Sequence, residues 1–120
     1  MIHHVVLGVS DLESSGAFYD ALLAPLGWRR HLEDNGVIGW GIAKPVFFVT
    51  EDAGTTATHG LVSFSAPGIA AVKAAWEGGL GHGGNGIDGP GEARRTGSGS
   101  YSAFLADPDG HSIEVTVSSE

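Results

Sequence analysis

Glu114 is the residue of this sequence whose surroundings most clearly point to chemistry. It stands in the last apolar segment of the chain, between Ile113 and Val115. Carboxylates are depleted in β-strands, and an unpaired carboxylate is costly to bury. A strand with an acid in its middle therefore predicts a partner for that acid: a metal ion, a cationic group or water. Glu114 is thus a candidate site residue that could bind a metal ion or another cation.

A tight turn precedes this strand. Asp107-Pro108-Asp109-Gly110 follows Phe104-Leu105-Ala106. Proline pre-sets φ at one turn position, and glycine accepts a positive φ at another. The alternating pattern on both sides predicts an antiparallel hairpin of strands over 100–105 and 112–117. His111, which follows the turn glycine, is expected to be solvated.

Composition limits the possible partners. The chain has 120 residues, of which 42% are hydrophobic, and it predicts one folded domain over 1–120. With a net charge of −8 and only six Lys and Arg, nucleic acid and anionic membranes are poor partners. The absence of cysteine excludes disulfides, thiolate metal sites and a cysteine nucleophile. No signal-peptide pattern or membrane-length apolar run is present, which predicts a cytoplasmic protein.

The first half of the chain predicts a strand, a helix and three further strands. The strand covers 2–9 and carries two histidines, of which His3 should face away from His4 because strand residues alternate. Ser10 is expected to cap the helix, with Glu13 completing a capping box, and Pro25 and Gly27 end it. Strands are predicted over 28–32, 37–42 and 45–50, the first two joined by a hairpin at 33–36.

The second half repeats this order. A strand is predicted over 61–65, followed by a helix with apolar residues at helical spacing, a glycine-rich stretch with one irregular strand, and the hairpin. Segment 4–10 aligns with 61–67, and 48–50 aligns with 114–116. The sequence therefore predicts an α+β fold of two βαβββ modules, 1–53 and 54–120, that form a curved mixed sheet around a cleft.

Three passages carry a resemblance to a known family. They are segment 4–12, Phe18-Tyr19 with 23–27, and segment 104–114 with its Asp-Pro-Asp-Gly turn. Together they resemble the vicinal oxygen chelate superfamily of glyoxalases, extradiol dioxygenases, and fosfomycin and bleomycin resistance proteins. The resemblance covers essentially the whole chain.

The resemblance implies four equivalent metal-ligand positions, from the first and last strands of each module. His4 and Glu114 match ligands at two of them, whereas Leu61 and Phe48 (Phe47 in a shifted register) stand at the others. Catalytic zinc sites commonly use three protein ligands. His59 is the candidate third ligand; it lies two residues before Leu61, roughly 6–7 Å along a strand, so a bulge would be needed.

Two functions remain open on this basis. The first is a lyase, isomerase, transferase or dioxygenase of glyoxalase type, in which Fe, Mn, Ni or Zn binds adjacent substrate oxygens. The resemblance makes Glu114 the candidate catalytic residue of such an enzyme, which could move a proton if it leaves the metal. The second is a metal-free binding protein like the bleomycin resistance members, with Glu114 paired to His4 in an apolar pocket. Either is expected to bind a small molecule as a homodimer. The expected cleft residues are Trp40, Phe48, Leu61 and Tyr101, although core packing is the alternative for such aromatic residues.

Overall fold

The computed structural model of the chain describes residues 2–52, 60–92 and 101–117. The first module contains β1 (Val5–Val9), α1 (Leu12–Leu23), a 3-10 turn (Ala24–Leu26), β2 (Arg29–Asp34), β3 (Val37–Gly41) and β4 (Phe47–Glu51). The second contains β5 (Leu61–Ser65), α2 (Ile69–Gly81), β6 (Asn85–Glu92), β7 (Tyr101–Ala106) and β8 (Ser112–Val117). This order confirms the predicted α+β class of two βαβββ modules. The predicted boundary between residues 53 and 54 lies outside the described residues.

Each module forms its own mixed four-stranded sheet. The strand orders are β1-β4-β3-β2 and β5-β8-β7-β6, so β1 and β5 are edge strands. In each sheet the first strand runs parallel to the last, and the remaining pairs are antiparallel. The side-by-side placement of first and last strands brings residues that are distant in sequence onto one surface.

The strand registers confirm the internal repeat. Val6 lies opposite Phe48 in the first sheet, and Ser63 lies opposite Glu114 in the second. The sequence alignment of the modules matched His4 with Leu61. Val6 lies two residues after His4, and Ser63 lies two residues after Leu61, so Val6 and Ser63 are equivalent as well. Phe48, and not Phe47, is therefore the equivalent of Glu114.

The two helices cover one face of each sheet and pack against each other. The residues that they bury form a single core, including Phe18, Tyr19, Leu22, Val72 and Leu105. The helices approach closely at Gly78, where an added Cβ would lie 2.6 Å from the carbonyl oxygen of Ala21. No helix in the described ranges is long and apolar enough to span a membrane.

The cap of α1 differs from the predicted one. Asp11, and not Ser10, is the N-cap, and its carboxylate accepts hydrogen bonds from the backbone N–H groups of Glu13 and Ser14. Ser10 instead donates its own backbone N–H to both carboxylate oxygens of Asp109, each at 3.1 Å. Asp and Ser are both favoured N-cap residues, so the sequence pattern allows either position, and the backbone N–H of Ser10 contacts the other module.

The Asp-Pro-Asp-Gly turn connects the modules. Gly110 has a φ of 94° and donates its N–H to the carbonyl of Asp107 at 2.8 Å, as expected for a tight turn. The buried carboxylate of Asp107 accepts the hydroxyl of Tyr19 on α1 at 2.6 Å. His111 is buried, contrary to expectation, and its Nε2–H donates to the carbonyl of Gly8 on β1 at 2.8 Å.

These contacts, together with that of Asp109 to Ser10, form an inter-module clamp. The clamp consists of Asp107, Asp109 and His111 on the turn and Gly8, Ser10 and Tyr19 in the first module. Asp107 also accepts the backbone N–H groups of Asp109 and His111 at 3.0 and 2.8 Å. A buried carboxylate with three donors is well compensated, so the turn fixes the relative position of the modules.

Ser15 on α1 carries a stability prediction. It is 1% exposed, and its hydroxyl has no hydrogen-bond partner within the described part of the chain. Ser15→Ala should raise the free energy of unfolding by ~1 kcal/mol, because it removes a buried unpaired hydroxyl and improves helix propensity. Urea denaturation measures this change. Ser14→Ala, with the same propensity change on a partly exposed site, should give a smaller increase; a loss of stability in Ser15→Ala would contradict the prediction.

Candidate ligand-binding site

The face of each sheet that points away from the helices carries the candidate site residues. In the first sheet this surface, open face 1, includes His4, Val6, Val37, Phe48 and Thr50, which line a hollow of about 320 Å³. In the second sheet, alternation and register place Leu61, Ser63, Phe104, Glu114 and Thr116 on the corresponding surface, open face 2. The helix-facing neighbours Val5, Phe47, Val62 and Val115 belong to or pack against the core.

Open face 1 is apolar and aromatic. The rings of His4 and Phe48 meet edge to face, with centroids 5.7 Å apart and an interplanar angle of 87°. Val6 on the same face is 51% exposed. Phe48 thus occupies the space beside His4 where the equivalent position in the other module holds Glu114.

His3 lies close to His4, contrary to the expectation that it would point to the opposite side. The Nδ1 atoms of the two rings are 2.8 Å apart, so one nitrogen must carry a proton and donate it to the other. Strand alternation does not apply because β1 begins only at Val5. Both histidines line a cavity of about 320 Å³ between the modules, together with Trp28, Ser63 and others.

Open face 2 is more polar, and Glu114 lies at its centre. Glu114 is 7% exposed and is flanked in the ladder by Ser63 of β5 and by Phe104 of β7, which is 3% exposed. Within residues 2–52, 60–92 and 101–117, no hydrogen bond or ion pair to its carboxylate is seen. The nearby hydroxyl groups of Ser102 and Thr116 are hydrogen-bonded to each other at 2.6 Å. Glu114 is therefore a buried acid whose counter-charge is not supplied by the described chain.

The predicted cleft residues divide between the two faces of the sheets. Phe48 lies on open face 1, and Leu61, which is 45% exposed, lies on open face 2. Trp40 is fully buried on the helix side, where its indole N–H donates to Asp20 at 2.9 Å. Tyr101 also packs against the core. Trp40 and Tyr101 therefore belong to the helix-covered layer, because their parity along the strand is the same as that of the core residues.

The described donors do not fit a catalytic metal. Of the four equivalent positions only those of His4 and Glu114 hold metal-binding side chains, and these two belong to different modules. No group of three or more His, Asp or Glu that could hold a metal is found in the parts of the chain that the structure describes. His59, the predicted third ligand, lies outside those parts. Two donors are fewer than the three of typical catalytic sites.

The sequence did not single out Ser63 as a neighbour of Glu114, although a signal for it was present. The repeat aligns His4 with Leu61 and hence Val6 with Ser63, two residues along each first strand. Because Val6 lies opposite Phe48, the same register predicts Ser63 opposite Glu114, as the structure shows.

Two βαβββ modules with parallel first and last strands, each with an open face, define a paired-module α+β fold. A family model described as the Glyoxalase/Bleomycin resistance protein/Dioxygenase superfamily matches residues 1–115. The chain belongs to this superfamily, which confirms the resemblance seen in the sequence. No curated protein matches the chain significantly.

Solved structures show the same fold. A glyoxalase/bleomycin resistance protein from Albidiferax ferrireducens T118 is 30% identical, with a TM-score of 0.85 and coverage of 96% of each chain. A glyoxalase/bleomycin resistance protein/dioxygenase family enzyme from Burkholderia phytofirmans PsJN is 17% identical, with a TM-score of 0.75 and coverage of 97% of each chain. The fosfomycin resistance protein FosX from Mesorhizobium loti is 14% identical, with a TM-score of 0.70 and coverage of 97% of this chain and 90% of its own. The latter two likenesses concern the fold alone.

Proposed function

We propose that this protein is a homodimeric small-molecule binding protein of the bleomycin-resistance type, which holds its ligand without a metal ion. The observation that carries the proposal is the presence of Phe48 and Leu61 at two of the four equivalent ligand positions. Phe48 packs against the ring of His4, so this part of the surface favours an apolar or aromatic ligand.

Pairing of two chains would complete the site. Open faces 1 and 2 belong to separate sheets, and their first strands, β1 and β5, are both edge strands. Apolar side chains are exposed at this side of the molecule: Ile2 at 79%, Val6 at 51% and Leu61 at 45%. Unpaired edges and exposed apolar side chains are commonly covered by association. Open face 1 of one chain would then meet open face 2 of its partner around the ligand.

Metal-free binding of an aromatic probe tests this proposal. Chelator-treated protein should sediment as a dimer and bind 1-naphthylmethanol in isothermal titration calorimetry, with an affinity unchanged by added Mn²⁺, Ni²⁺ or Zn²⁺. Leu61→Asp should weaken dimerisation and binding by about tenfold or more, because it introduces a charge into an apolar contact. Ile69→Asp, at a 50% exposed position on α2 away from the open faces, is the matched control.

A metal-dependent lyase, isomerase, transferase or dioxygenase is the second candidate. The buried carboxylate of Glu114 favours it, because a metal ion is one possible counter-charge. It requires His4 and Glu114 with His59 as the third ligand. Stoichiometric metal in the purified protein, lost in both His4→Ala and Glu114→Gln, would establish this candidate and contradict metal-free binding.

A further inference from the structure

We infer that open face 2 binds the protonated amine of an organic cation, with the carboxylate of Glu114 as its counter-ion. This inference rests on the proposed function and names the class of ligand: a primary ammonium group carried on an apolar or aromatic body. It gives Glu114 a role that needs no metal ion.

The first support is the isolation of the Glu114 carboxylate. It is 7% exposed, yet it makes no hydrogen bond or ion pair among the described residues. Among the described residues only the hydroxyl of Ser15 is a fully buried side-chain oxygen without a partner, so the oxygens of Glu114 reach solvent at open face 2. A ligand that covers them takes the carboxylate out of water, and a cation on that ligand would compensate the charge. The described Lys and Arg residues do not supply such a cation. Arg30, on β2 of the first module, forms ion pairs with Asp20 of α1 and Glu33 of β2, at 2.9 and 3.2 Å.

The second support is the set of groups around the carboxylate. Ser63, an exposed residue, lies beside Glu114 on β5, and Phe104 lies beside it on β7. A primary ammonium has three N–H donors. The carboxylate and the hydroxyl of Ser63 can accept these donors. The hydroxyl groups of Ser102 and Thr116 are already paired with each other.

The third support distinguishes an ammonium from a divalent metal. An ammonium is satisfied by one carboxylate and neutral acceptors, whereas a catalytic metal commonly needs three protein ligands. Leu61, on the same face as Glu114, offers an apolar surface and no donor. Together with the apolar open face 1 of the partner chain, this suits a cation with an apolar body. The net charge of −8 would also attract a cationic ligand.

Three ligands with one aromatic body and different head groups test the inference. They are 1-naphthylmethylammonium, the neutral 1-naphthylmethanol and the anionic 1-naphthoate, each titrated calorimetrically into chelator-treated dimer at pH 7. The ammonium should bind about tenfold or more tightly than the alcohol, a difference that corresponds to ~1.4 kcal/mol. The naphthoate should bind more weakly than either.

Glu114→Gln should remove the preference, so that this variant binds the ammonium and the alcohol with affinities within a factor of about two of each other. This variant keeps the side-chain shape and removes a buried charge, so its thermal unfolding midpoint should equal or exceed that of the parent, which checks folding. Glu77→Gln makes the same charge change on an exposed position of α2 and should keep the full preference.

The outcomes separate the inference from the proposed function. Equal binding of ammonium and alcohol by the parent, or a preference that persists in Glu114→Gln, would overturn the ammonium site and leave the binding function in place. Failure of all three naphthyl ligands to bind would contradict the proposed function as well.

Discussion

Asp107→Ala is expected to lower the free energy of unfolding by about 3–5 kcal/mol, as judged by urea denaturation. The carboxylate of Asp107 is fully buried and accepts the hydroxyl of Tyr19 and the backbone N–H groups of Asp109 and His111. Alanine would leave three donors without this acceptor, and each buried unsatisfied donor costs ~1–3 kcal/mol. Since domains are typically stable by ~5–15 kcal/mol, this loss is a large share of the total free energy of unfolding.

Tyr19→Phe is the control for the inter-module clamp, because it removes one of these three bonds and keeps the ring. Its loss should be smaller, ~1–2 kcal/mol. A loss in Asp107→Ala no larger than that in Tyr19→Phe would show that the turn does not depend on the carboxylate. A stable Asp107→Ala protein would contradict the role of the clamp altogether.

The pH dependence of stability at alkaline pH tests the contact between Tyr19 and Asp107 independently. Burial and, next, the negative charge of Asp107 raise the pKa of Tyr19 well above its ordinary value of 10.0. The folded chain therefore favours the neutral phenol. The contribution of Tyr19 to the free energy of unfolding is fully present below the pKa that Tyr19 has in the unfolded chain. It is lost as the pH rises through the pKa of Tyr19 in the folded chain. The parent should lose stability above pH ~10 more steeply than Tyr19→Phe, measured by urea denaturation between pH 8 and 11.

Phe48→Glu combined with Leu61→His should create a metal site. These substitutions place a carboxylate and an imidazole at the two equivalent positions that hold apolar side chains in the parent. The number of metal-binding side chains at the four positions therefore rises from two to four. Loss of groups that merely orient metal ligands costs ~10–100-fold in affinity. Completing the ligand set should therefore raise Zn²⁺ affinity by more than about 100-fold over the parent, measured by competition with a chromophoric chelator.

A shifted double variant, Thr50→Glu with Ser65→His, is the matched control. Thr50 and Ser65 lie on the same open faces, further along β4 and β5, roughly 7 and 14 Å from Phe48 and Leu61. It adds the same groups out of register with His4 and Glu114 and should bind Zn²⁺ no more tightly than the parent. Equal Zn²⁺ binding by the two double variants would refute the equivalence of the four positions. Removal of His4 from the completed site should reduce the gain, because three donors then remain in place of four.

The sequence by itself determined the elements and their repetition. The positive φ of Gly110 and the hairpin at Asn35-Gly36, where both residues have positive φ, follow from local turn chemistry. The two modules follow from apolar periodicity. Aligning them predicts that Phe48 or Phe47 is the equivalent of Glu114, and the strand register decides for Phe48. The turns and the repeat depend on residues close in sequence or on a pattern that occurs twice, so one-dimensional information suffices for them.

The face on which an aromatic side chain lies was harder to predict from sequence. Trp40 and Phe48 are both aromatic residues in apolar strands, yet Trp40 is fully buried against Tyr19 and Asp20, while Phe48 lies on open face 1. Strand alternation divides residues into two sets but does not say which set the helix covers. Only the packing of α1 on the first sheet decides this.

The inter-module clamp was likewise decided by the tertiary structure. The sequence predicts that His111 is a turn residue open to solvent and that Ser10 is a helix cap. Their partners Gly8 and Asp109 lie 103 and 99 residues away in sequence.

Glu114 shows both what the sequence determined and what only the tertiary structure decided. Its sequence context predicted that this acid needs a partner, either a metal ion, a cationic group or water, because burial of an unpaired carboxylate is costly. Only the packed chain showed that the described residues do not supply that partner, since supplying it depends on contacts between elements far apart along the chain.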